Sequence, residues 1–63
     1  MKTARYVVIA LDRTGKILSF SEDVVSLSAG RALMAEVERR RFWALLGMKP
    51  AVWDRKTATI VAV

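Results

Sequence analysis

Arg39-Arg40-Arg41 runs directly into Phe42-Trp43. Guanidinium groups beside aromatic rings are the side-chain types that hold nucleic acid, with cations on phosphates and rings stacked on bases. The same residues suit a helix end whose charges face water while its rings enter a core. Three consecutive helical residues point in three directions, so these arginines cannot all line one groove. Arg31, Lys49, Arg55 and Lys56 are the other cations that could join a patch contacting a partner or nucleic acid. Phe42, Trp43 and Trp53 are the aromatic candidates for an interface, and in so short a chain such rings serve core or interface before they serve bases.

Other chemistry is thinly supplied. The 63 residues contain no His and no Cys, which removes the usual acyl-transfer and general-base arrangements, disulfides and common zinc sites. The six acids are Asp12, Glu22, Asp23, Glu36, Glu38 and Asp54. Glu22 and Asp23 are neighbours, at a place where the start of a helix would favour carboxylates. Gly15 and Gly30 match neither phosphate-loop pattern. The inventory predicts a protein that is not an enzyme, with no metal and no cofactor.

Eleven Lys and Arg against six Asp and Glu give a net charge of +5, which favours polyanions or acidic protein surfaces. Hydrophobic residues make up 54% of the chain, more than one small core can hide, which predicts a second copy or an obligate partner. The apolar run from Tyr6 to Leu11 is too short for the hydrophobic part of a signal peptide, and no stretch is long enough for a membrane span. The expectation is a cytoplasmic protein that does not engage membrane.

The elements that must position these groups follow from pattern and punctuation. Arg5 to Leu11 is β-branched and strand-length, Asp12-Arg13-Thr14-Gly15-Lys16 is a hairpin turn, and Ile17 to Phe20 returns. Tyr6, Val8 and Ala10 face one side and Val7, Ile9 and Leu11 the other. A strand apolar on both sides is covered on both sides, and one helix covers only one. Ser21-Glu22-Asp23 leads towards a helix capped by Ser26 or Ser28, with Gly30, Leu33, Met34 and Val37 on its apolar side and a Glu36–Arg40 pair at i, i+4. Beyond Arg41 the phase fails: a continuing helix would turn Phe42, Trp43 and Leu46 away from that side. The helix therefore bends or ends there, or a second apolar face begins, and Phe42 to Leu46 reads alternatively as strand. Ala51-Val52-Trp53 is a short apolar piece, Asp54-Arg55-Lys56 a turn, and Thr57 to Val63 a strand. The prediction is a single α+β domain over residues 1–63: an antiparallel sheet with a β-hairpin, one helix and a C-terminal strand, in the order β-β-α-β, with room for an extra short strand near Val52.

Ribbon-helix-helix repressors lack such a hairpin and long final strand, and the integrase-type DNA-binding arms place their third strand before the helix. Met1-Lys2-Thr3-Ala4, Tyr6-Val7-Val8, Ser26-Leu27-Ser28 and the basic Arg31 together resemble one of the small anti-CRISPR families carried by phages. That resemblance covers about a dozen positions, has no counterpart from residue 36 onwards, and implies a non-catalytic inhibitor docking on a host nucleoprotein complex, with Arg31 as a contact. The alternatives are a dimeric DNA- or RNA-binding module using the arginine cluster, and a purely structural subunit.

Overall fold

The Tyr-Val-Val-Ile-Ala-Leu run forms β1 (Tyr6–Leu11), one of the two inner strands of a four-stranded antiparallel sheet, in the computed structural model, which describes residues 4–63. Its neighbours are β2 (Ile17–Val24) on one side and β3 (Lys49–Asp54) on the other, and β4 (Thr59–Ala62) continues the sheet beyond β3. Between β2 and β3 the chain makes two helices, α1 (Leu27–Glu38) and α2 (Arg41–Leu45). The α+β class holds, and the order lengthens from β-β-α-β to β-β-α-α-β-β. The Met1-Lys2-Thr3 part of the family resemblance lies outside the described residues.

The hairpin forms as its residues require. Asp12 Oδ1 accepts from the Thr14 amide at 2.8 Å and the Lys16 amide at 2.9 Å, closing the turn with a side chain. Gly15 takes φ +86°, a left-handed conformation that costs glycine nothing. The returning strand runs past Phe20 to Val24, so Ser21, Glu22 and Asp23 belong to β2 and do not lead a helix. The register against β1 slips beside Ser21 and again beside Leu18, where β2 carries an extra residue. Those bulges let the strand reach Val24 and disrupt an edge that would otherwise pair with other chains.

Ser26 caps α1, its Oγ accepting from the Ala29 amide at 3.1 Å. Gly30, Met34 and Val37 form the buried side of the helix, as the 3.6-residue period predicts. Met34 packs with Val8 and Val52, and Val37 with Ala10 and Trp43. Helix α1 stops at Glu38; Arg39 caps it and Arg40 turns extended, with ψ 113°. The Glu36–Arg40 ion pair therefore does not form, because Arg40 has left the helix that would hold it one turn away. Residues 41–45 are helix, not strand, closed by Gly47 at φ +69° and by the Met48 amide donating to the Trp43 carbonyl at 3.0 Å.

The short apolar piece around Val52 is a full six-residue strand with Asp54 as its last residue, so the turn lies one residue later than Asp54-Arg55-Lys56 suggests. Both helices lie on the face of the sheet carrying Val8, Ala10 and Val52. No helix lies on the other face among the described residues.

Gly30 is where α1 comes closest to the sheet. A Cβ there would stand 2.8 Å from Val52 Cγ2 and 3.3 Å from Cγ1, and Val52 is β-branched and fully buried. Gly30→Ala gains about 1 kcal/mol of helix preference and loses about 1–3 kcal/mol to overpacking. The expected net is a loss of about 1 kcal/mol, read as a lower urea midpoint at unchanged slope. A midpoint at or above that of the wild type would mean that Val52 makes room freely.

Candidate interaction surface

The face of the sheet away from the helices is built on Val7, Ile9 and Leu11 of β1 and Ala51 of β3, all buried. Larger side chains from the flanking strands close over them. Cross-strand neighbours share a face, which puts Phe20 beside Ile9, Ile17 beside Leu11, Trp53 beside Val7, and Ile60 beside Trp53. Phe20 and Trp53 meet edge to face, with ring centroids 6.1 Å apart and planes at 90°. This layer is itself open: Phe20 is 54% exposed and Ile60 38%. The apolar surface predicted for the second side of β1 exists, one layer further out, on β2, β3 and β4.

The aromatic candidates separate. Trp43 is buried with Val37, Ala10 and Met48. The break at Arg40 re-aims α2, and a ring that a continuous helix would carry outwards enters the core. Trp53 lies half-buried on the open sheet face, and Phe42 projects from α2.

The predicted cations do not form one patch. Lys49 starts β3 opposite Leu11, whereas Arg55 and Lys56 follow its far end, about 20 Å away at strand rise. Arg55 is engaged: Nη1 donates to the Ala4 carbonyl at 2.6 Å and Nη2 to Asp23 Oδ1 at 2.8 Å. Arg31 stands on α1 beside the end of β4, lining a shallow groove with Met34, Ala35, Glu38, Ala62 and Val63. Arg39, Arg40 and Arg41 occupy the α1–α2 junction, are exposed, and make no ion pair among the described residues. Arg13, which no motif in the sequence singles out, reaches the same end; its Nε would stand 2.5 Å from a Cβ at Gly47.

The charged groups at the opposite end of the sheet are structural. Asp54 is the one buried acid; it accepts from Arg5 Nε at 3.1 Å and Nη2 at 2.9 Å, and from the Lys56 amide at 2.9 Å. The Arg5 hydrogen bonds hold its carboxyl below the ordinary range, against the opposing effect of burial. Asp12 is held low by the Thr14 hydroxyl and then by the Lys16 amide. No group of three or more Asp or Glu among the described residues could hold a metal. A groove of about 510 Å³ between α2 and the start of β3 is lined mainly by Trp43, Ala44, Met48, Pro50 and Val63, with Glu38 and Lys49 its only charged residues. Among the described residues, no helix is long and apolar enough to cross a membrane.

No protein-family model, curated protein or solved structure matches the chain.

Asp54 sets a pH dependence. Its pKa is depressed in the folded state, so the stability it contributes is present above the unfolded carboxylate value of about 3.9 and is lost as pH falls through the lower folded value. Urea midpoints should be level near neutrality and fall below about pH 4. Asp54→Asn should be less stable at neutral pH and lose less on acidification. An acid limb as steep in the variant as in the wild type would assign that dependence to Asp12 or another acid.

Proposed function

We propose that this chain is a small non-enzymatic binding protein of phage type that docks on a host nucleoprotein complex through the open face of its sheet. The observation that carries this reading is the edge-to-face pair of exposed Phe20 and half-buried Trp53 with Ile60 beside it, an apolar surface that neither helix covers. Clustered aromatic and aliphatic side chains of this kind supply the central part of protein interfaces. The net charge of +5 draws the protein towards assemblies rich in phosphate, and the apolar face then supplies the lasting contact. The resemblance of the Ser26-Leu27-Ser28 and Arg31 region to the small anti-CRISPR proteins points to the same class of target. A non-enzymatic role fits the carboxylates, three of which are taken up by a turn or an arginine: Asp12, Asp23 and Asp54.

A second reading is favoured by the unpaired Arg39–Arg41 junction: direct binding of DNA or RNA through phosphates, by a dimer formed on the sheet face. The two readings make different demands on the same residues. In the first, Phe20→Asp abolishes recovery of the nucleoprotein complex from host lysate while far-UV circular dichroism stays unchanged. In the second, the purified protein binds oligonucleotides with a steep salt dependence that Arg39/Arg40/Arg41→Ala removes. Undiminished recovery of the complex by Phe20→Asp would overturn the sheet-face reading. Light scattering at two concentrations distinguishes a second copy on that face, since Phe20→Asp would then halve the mass.

A further inference from the structure

Helix α2 presents an apolar turn that the rest of the fold does not use. Phe42, Leu45 and Leu46 are 63%, 75% and 57% exposed. They stand at i, i+3 and i+4, so they share one side of the turn while Trp43 is anchored in the core. Cations flank that turn. Arg41 adjoins Phe42, Arg39 and Arg40 immediately precede it, and Arg13 lies against Gly47 beside Leu46. None of these four arginines is paired with an acid among the described residues. The two ion pairs, Arg5–Asp54 and Arg55–Asp23, use residues at the other end of the sheet. These arginines are thus left without an ion-pair partner among the described residues, at the end where the apolar turn projects.

We propose that this turn is a second docking surface, fitted to an acidic protein segment that carries apolar anchor residues. An apolar centre with arginine around it has the anatomy of a protein contact, and four unpaired guanidiniums call for carboxylates on the other side. Leucine offers no face for stacking on a nucleobase, so two of the three apolar side chains would gain nothing from a nucleic acid. A bilayer is matched by a longer amphipathic helix; five residues supply a single apolar turn, about 7.5 Å long. The turn is also held in shape before any partner arrives, by Trp43 in the core and the Met48–Trp43 backbone bond, which limits the ordering cost of binding. It lies on the helix side of the sheet, so it acts independently of Phe20 and Trp53.

Fluorescence anisotropy with defined probes tests the proposal. The probes are a labelled peptide of Glu interspersed with Leu and Trp, the same peptide with Ser replacing every Leu and Trp, a DNA oligonucleotide in single- and double-stranded form, and phosphatidylglycerol vesicles. The acidic apolar peptide should bind at least about tenfold more tightly than its Ser counterpart, the order expected from one or two buried anchors. Leu45→Ser should remove most of that difference. Arg39/Arg40/Arg41→Gln should weaken binding and flatten its salt dependence, whereas Phe20→Asp should change nothing. All variants alter exposed side chains, and circular dichroism confirms that each remains folded. Equal binding of the two peptides, indifference to Leu45→Ser, or tighter binding to DNA or vesicles than to the acidic apolar peptide would overturn the proposal.

Discussion

Strand β1 must be buried on both faces, and a chain of 63 residues has helix enough to cover one. Nearly everything else in the structure answers that constraint. On one face, α1 comes down close enough for Gly30 to touch Val52, and Met34 and Val37 complete the layer. On the other, no helix lies among the described residues, and Val7, Ile9 and Leu11 are shielded by their own strand neighbours. Phe20 and Trp53 are large enough to roof small aliphatic side chains, but a roof one side chain thick has an apolar upper surface. Burial of β1 is thus achieved by transferring exposure outwards to β2, β3 and β4.

The junction after α1 answers a second geometrical problem. The apolar side of α1 ends at Val37, yet the end of the sheet around Ala10 still needs cover. Continuing the helix would carry Trp43 away from it. Releasing Arg40 to an extended conformation restarts the helix at a new angle and delivers Trp43 onto Ala10, Val37 and Met48. Once Trp43 points inwards, the phase of the α-helix obliges Phe42, Leu45 and Leu46 to point elsewhere. The exposed apolar turn and the buried tryptophan are two consequences of one break, and the arginines are exposed because the break itself occupies Arg39 and Arg40.

What the sequence discloses is what local chemistry decides. The hairpin is legible because Asp12 and Gly15 each have one strong reason to be there, and the α1 stripe because period and burial agree. Ser26 is legible as a cap, and the trouble beyond Arg41 as a phase error. Three features were not legible, each settled at long range. Ser21, Glu22 and Asp23 carry the signature of a helix approach, but pairing with β1 and the Arg55–Asp23 bridge take them into a strand. Phe20 was not marked as a surface residue because its place depends on two bulges that no local pattern announces. Arg55 reads as a free cation until Asp23 and the Ala4 carbonyl, distant in sequence, are brought beside it.

The distribution of charge then gains a physical meaning that the net value lacks. At the Asp54 end, carboxylates and arginines meet where strands must be joined, and their charges largely cancel. At the α2 end the arginines follow from the break and the hairpin, and none is ion-paired with an acid among the described residues. Under the proposed docking, the unpaired arginines of the α2 end would be the charges that an approaching anionic partner meets first. Charge alone would give a fast and weak encounter, sensitive to salt. In the proposed complex, apolar side chains at that same end would give the encounter a lifetime, because their burial is unaffected by screening. Coincidence of unpaired arginines with Phe42, Leu45 and Leu46 is thus more informative than either feature separately.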